Sequence, residues 1–245
     1  SACSPCSVGK ASADFSASPF FYGNMNLYVG ISNGEIWFYK RSGSSFTRQT
    51  TTNNPLYSVY NIYIKPANDG NMAAKPFFDG NMNLYVGNYD GAIWYYKNTG
   101  STANPSLTRQ TGAANPLNDV DVGNNASPFF VDDDNDGDMD LYVGNSVGEI
   151  WYYKNTGSTA NPSFTRQAGA ANPLNGVDVG SYASPFFVDH DNDGDMDLYA
   201  GNYAGEIWYY KNIGSKTNPS FTRQTGAANP LNGVDVGSYA SPRSE

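Results

Sequence analysis

Apolar positions fall in short bursts separated by Gly, Asn, Pro and Ser, and the bursts recur in a fixed order. Pro-Phe-Phe opens at Pro19, Pro76, Pro128 and Pro185. Leu-Tyr-Val-Gly or Leu-Tyr-Ala-Gly follows at Leu27, Leu84, Leu141 and Leu198. Ile-Trp-Tyr-Tyr or Ile-Trp-Phe-Tyr then surrounds Trp37, Trp94, Trp151 and Trp208, which stand 57 residues apart. A last burst, Phe/Leu-Thr-Arg-Gln, begins at Phe46, Leu107, Phe164 and Phe221. No segment keeps a helical period over about ten residues, so each burst predicts a short strand and each unit four of them. Ile-Trp-Tyr-Tyr is apolar or aromatic at consecutive positions, which requires both faces of its sheet to be covered.

Short four-stranded units sandwiched between neighbours predict an all-β chain, a β-propeller built from four ~57-residue repeats as blades. A β-solenoid would have shorter coils and fewer aromatics. The expected divisions are a linker or end of a Cys-rich module at 1–18 and the propeller at 19–240. Its blades fall at about 19–75, 76–127, 128–184 and 185–240, and residues 241–245 start a further repeat or form a tail. Ser241-Pro242 copies the opening of a fifth unit, so the four units can also be part of a larger ring.

Composition narrows the function. The chain has 245 residues, 14 Lys and Arg against 23 Asp and Glu, and a formal charge of −9. That balance disfavours nucleic acid and anionic lipid as partners. No apolar run approaches the roughly 20 residues that span a bilayer, so no membrane insertion is expected. One His and two Cys leave little for a His-based triad or a soft-metal site. The start at Ser1, without a signal peptide, reads as a processed or excised piece of a longer product.

The densest chemistry lies between the first and second strands of repeats three and four, in VDDDNDGDMDLYVG and VDHDNDGDMDLYAG. Asp occupies positions 1, 3, 5, 7 and 9 with Gly at 6. These are Asp132, Asp134, Asp136, Asp138 and Asp140 with Gly137, then Asp189, Asp191, Asp193, Asp195 and Asp197 with Gly194. Such a cluster repels itself unless a counter-ion is present. A hard cation taking 6–8 oxygens relieves that repulsion, and oxygen-only ligands favour Ca²⁺ over the stricter octahedron of Mg²⁺. Two calcium sites are expected. Neither is an EF-hand, because position 12 is Val143 or Ala200 in place of a bidentate Glu.

With these loops the chain resembles the FG-GAP/VCBS calcium-loop repeats, as in integrin α-like propellers, over about residues 19–240. The resemblance implies side-chain ligands at Asp132, Asp134, Asp136 and Asp140, with the main-chain carbonyl of Asp138. In the second loop it implies Asp189, Asp191, Asp193 and Asp197, with the carbonyl of Asp195. Repeats one and two depart from the pattern. Their loops are five residues shorter and carry Asn24, Asn26, Asn81 and Asn83, with Asp79 the one acid left, so a tight turn without calcium is expected.

Other features read more plainly. Cys3-Ser4-Pro5-Cys6 lacks the strand and helix of a redox motif and resembles the tail of an ephrin-receptor-type cysteine-rich module, which implies a structural disulfide. Asn125-Ala126-Ser127 is a sequon followed by Pro128, equally readable as an unmodified turn. His190 sits at position 2 of its loop, pointing away from an ion. The tryptophans read as inter-blade core before sugar platforms. Tyr89, Tyr182, Tyr203 and Tyr239 lie in loops and are candidate exposed contacts. Arg48, Arg109, Arg166 and Arg223 recur on the last strand, either solvated or as a partner-binding ring.

No acid–base or nucleophilic constellation emerges, so a non-enzymatic protein is expected. The leading expectation is a secreted or cell-surface, calcium-stabilised propeller, a structural or adhesion module. Its partners would be other extracellular proteins, same-chain neighbours in a larger assembly, or glycans. A multivalent lectin is the alternative and a polysaccharide lyase the weaker one.

Overall fold

A computed structural model of the chain describes residues 17–22, 26–31, 36–42, 44–49 and 75–242. Cys3 and Cys6 lie outside the described residues, as do most of the first inter-unit linker and the last three residues. The described chain is all-β. Sixteen strands form four antiparallel sheets of four, each a meander in sequence order. The first holds β1 (Ala17–Tyr22), β2 (Asn26–Ile31), β3 (Ile36–Ser42) and β4 (Ser45–Gln49). The second holds β5 (Lys75–Phe78), β6 (Leu84–Gly87), β7 (Ile93–Asn98) and β8 (Leu107–Gln110). The third holds β9 (Ser127–Val131), β10 (Asp140–Gly144), β11 (Ile150–Asn155) and β12 (Phe164–Gln167). The fourth holds β13 (Ser184–Val188), β14 (Asp197–Gly201), β15 (Ile207–Asn212) and β16 (Phe221–Gln224).

The registers are the same in every blade. Leu27, Leu84, Leu141 and Leu198 face Tyr39, Tyr96, Tyr153 and Tyr210. Alternation along each strand then sorts the apolar residues onto two faces. Phe130, Leu141, Val143 and Tyr153 pack back onto Tyr85, Ile93, Tyr95 and the linker residues Leu117 and Val122. From the opposite face of the same blade, Tyr142, Ile150 and Tyr152 pack forward onto Phe187, Leu198 and Tyr210. Consecutive apolar residues are needed because both faces are interior, and the arrangement is propeller-like.

The first strands of blades two, three and four lie side by side. Phe77 meets Phe129 edge-on at 5.7 Å, and Phe129 meets Phe186 at 5.5 Å. The linkers lock each blade to the next through a glycine. A Cβ on Gly144 would stand 2.1 Å from the Ala183 carbonyl oxygen, and one on Gly201 would stand 2.2 Å from that of Ala240. No side chain fits there, which explains why the second strand ends in Gly. Each linker also carries a three-residue 3-10 turn, Gly112–Ala114, Gly169–Ala171 and Gly226–Ala228, too short to show a period in the sequence.

Candidate metal centre

Both acidic loops run from a first strand to a second, and both curl through left-handed residues. Asn135 has φ 59° and Gly137 φ 94°, and Asn192 and Gly194 repeat them at 60° and 94°. Asp132 closes its loop by accepting the Asp136 and Gly137 amides at 3.1 and 3.2 Å, while Asp136 accepts the Asp138 amide at 3.1 Å. In the second loop Asp189 accepts the Gly194 amide and Asp193 that of Asp195, each at 3.1 Å.

These turns aim carboxylates inward. One oxygen each of Asp132, Asp134 and Asp136 lies within 4.8 Å of the others, and Asp189, Asp191 and Asp193 form the same group. Lys154 on β11 places its ammonium on Asp134, with Asp136 at 3.9 Å; Lys211 on β15 does the same with Asp191, with Asp193 at 3.8 Å. Burial alone would raise the Asp134 carboxyl, but Lys154 outweighs it and holds the group below the ordinary value. Lys211 lowers Asp191 in the same way. Burial and the neighbouring acids raise Asp138 and Asp195.

One ammonium per loop does not satisfy the cluster. Asp134 Oδ1, Asp138 Oδ1, Asp189 Oδ1 and Asp195 Oδ1 are buried without a hydrogen-bond partner among the described residues. A buried unsatisfied group costs about 1–3 kcal/mol, and more when charged. A hard cation coordinated by oxygens removes that cost, so the donor set fits Ca²⁺.

Position 9 behaves differently from the rest. Asp140 is buried, accepting the Asn155 amide at 2.7 Å and the Tyr152 hydroxyl at 2.9 Å, and burial pushes its pKa up to about 6. Asp197 repeats both bonds with Asn212 at 2.7 Å and Tyr209 at 3.0 Å. These two acids therefore tie the loop to the third strand, and neither is among the three carboxylates whose oxygens gather within 4.8 Å in its loop.

Position 2 points away from the cluster, as expected for His190, but it has a structural partner that the sequence did not announce. Tyr142 donates to Asp133 at 2.8 Å, and Tyr199 and His190 Nδ1 lie 3.0 Å apart. The tyrosines on the second and third strands stack beside them, Tyr142 on Tyr152 at 4.7 Å and Tyr199 on Tyr209 at 4.8 Å. Burial is the main reason that Asp133 rises to about 7.

Blade two makes the expected tight turn. Asp79 Oδ1 accepts the amides of Asn81 and Asn83 at 2.9 Å, and its other oxygen accepts the Asn83 side chain at 2.8 Å. Asn83 Oδ1 accepts the Asn98 amide at 2.9 Å, the same bond that Asp140 makes to Asn155. In this short loop a neutral side chain does the work of the buried carboxylate. The corresponding loop of blade one lies outside the described residues.

The other candidates sort as follows. Each recurrent arginine lies over the tryptophan of its own blade, 3.3 to 3.9 Å from the ring centroid. It is therefore a cation–π lid rather than simply a solvated outer residue. Trp151 and Trp208 donate to Glu149 and Glu206 at 2.9 and 3.0 Å, beside grooves of about 340 and 240 Å³. Tyr182, Tyr203 and Tyr239 gather into one cluster with centroids 4.8 to 5.6 Å apart, whereas Tyr89 packs against the blade-two core. Asn125 is buried, which fits the unmodified turn.

The described chain is thus an all-β array of repeated four-stranded blades, two of which carry a curled Asp loop between their first and second strands. Residues 132–200 match the FG-GAP-like repeat family, a span that takes in both acidic loops. Neither the curated proteins nor the solved structures give a match. Among the described residues, no helix is long and apolar enough to cross a membrane.

Proposed function

We propose that the chain is a calcium-stabilised, non-enzymatic repeat scaffold that works outside the cell as a structural or adhesion module. The observation that carries this reading is the pair of congruent Asp clusters, each holding buried carboxylate oxygens that no donor among the described residues satisfies. When bound, the ion supplies positive charge and a rigid link across the loop. The chain's own residues do the rest: Asp132 and Asp189 fold the loop, Asp140 and Asp197 anchor it to the third strand, and Asp133 and His190 fasten it to the second. Blades with equivalent outer surfaces suit repeated contacts with protein partners. The test is calcium titration by calorimetry beside melting in calcium and in chelator. Two binding events and a lower melting temperature in chelator are expected.

A lectin remains the second reading, favoured by the tyrosine cluster at Tyr182, Tyr203 and Tyr239, where Tyr203 is exposed. A glycan array probed in calcium and in chelator decides it. Reproducible binding to one sugar class, lost on Tyr203→Ala, would establish the lectin. A blank array from folded, calcium-loaded protein leaves the scaffold.

A further inference from the structure

In blades two and three, one sheet face and the linker behind it are sealed by the next blade. In blade four the same positions are open. Val122 and Val179 are 2% and 0% exposed, and their counterpart Val236 is 57% exposed. Val120 is 7% exposed and its counterpart Val234 is 38%. Leu231 and Ile207 are only half-buried where Leu117, Leu174, Ile93 and Ile150 are fully enclosed. The tail nevertheless follows the path of a linker entering a further blade. Ala240 closes on Gly201 as Ala183 closes on Gly144, and Ser241 Oγ lies 3.1 Å from Ser184 Oγ, as Ser184 lies 3.5 Å from Ser127.

We propose that the open face of blade four receives the first blade of a second copy of this chain, head to tail. The contact would continue the interface already built between successive blades within the chain. Its occupant there is always a blade whose Leu, Val or Ala, Trp and Tyr pack backward. Blade one carries Leu27, Val29, Trp37 and Tyr39 at those sequence positions, matching Leu141, Val143, Trp151 and Tyr153 of blade three. Ala17-Ser18-Pro19 also repeats Ala240-Ser241-Pro242, so an incoming first strand can take over the place of the tail. One bond is missing from the joint. Asn145 and Asn202 donate to the Val122 and Val179 carbonyls, but blade one has Ile31 at that position. The joint between copies is therefore weaker than the joints within a chain, and reversible. The pairing is heterologous, because the two faces differ. It names a partner for the scaffold reading yet uses no loop aspartate, so it stands or falls apart from calcium.

Light scattering behind size exclusion tests this on the full chain across a wide range of concentration, in calcium and in chelator. Wild-type protein is expected above the mass of one chain at high concentration in both buffers. Val236→Arg, at a position already open to solvent, is expected to run as one chain with an unchanged circular dichroism spectrum. Tyr39→Arg is expected to run as one chain too. An equimolar mixture of the two variants retains one intact face of each kind and is expected to form a two-chain complex and nothing larger. A wild type that stays at one chain throughout overturns the proposal. So does a Val236→Arg protein that assembles like wild type, which decides the matter even if Tyr39→Arg fails to fold. Two folded variants that do not pair on mixing overturn the head-to-tail geometry. Loss of calcium binding with assembly intact would remove the metal reading and leave this one standing.

Discussion

Asp140 shows how one residue type can carry two duties. Its oxygens accept a backbone amide and a tyrosine hydroxyl in a buried site, and blade two makes the amide bond with Asn83 instead. Asp140→Asn should therefore keep most of the stability measured by chemical denaturation in chelator. Asp140→Ala should lose about 2–6 kcal/mol, because two buried donors are stranded at about 1–3 kcal/mol each. If Asp140 also ligates the ion, the Asn variant will lose calcium affinity while keeping its chelator stability. Lys154 supports a second prediction. Its ammonium sits on Asp134, where a bound cation would compete with it. Lys154→Met should lower the melting temperature in chelator and widen the gap between the chelated and calcium-loaded curves. The alternating aspartates were plain in the sequence, but these divisions were not. Asp140 finds its partner 15 residues on, and Lys154 has counterparts in repeats without acidic loops, so its spacing carried no signal.

Strands were the most legible elements, because the both-faces-apolar pattern fixes their number and type in every blade. What lay hidden was how the blades join. The Gly144 to Ala183 approach depends on a linker that wraps back over the second strand, and no periodicity announces it. Gly144→Ala is expected to cost about 3 kcal/mol, at the upper end of ordinary overpacking, since the Cβ would meet backbone oxygen 2.1 Å away. Urea denaturation beside Gly123→Ala, whose Cβ meets nothing within 4 Å but whose φ is 93°, separates steric overlap from backbone strain. The arginine lids were unreadable for a related reason. Arg166 crosses to Trp151 diagonally, from the strand position opposite Tyr153. Arg166→Ala should cost only about 0.5–1 kcal/mol, the range of an exposed cation–π pair.

At the scale of the molecule, the calcium reading makes each of the two loops a ligand site of its own. Calorimetry should count two calcium ions per chain, falling to one in Asp134→Asn or Asp191→Asn and to none in the double variant. With free calcium at about a hundred times the dissociation constant, each site adds about 2.7 kcal/mol by mass action. An unchanged melting curve in excess chelator, with no calcium by elemental analysis, would overturn the assignment. The repeat and its all-β class were legible from the recurring tryptophans. Whether the blades close on themselves was not, because closure depends on the rotation between blades, which no local pattern encodes.

The sequential meander has a consequence for how the chain comes into being. Every strand hydrogen-bonds to the strand made just before or just after it, so each sheet is complete as soon as its fourth strand leaves the ribosome. Pairings of such short range close quickly. The glycine clamp between blades can then set as the following linker emerges, and the protein can be assembled in the order of its synthesis, one blade nucleating on the last.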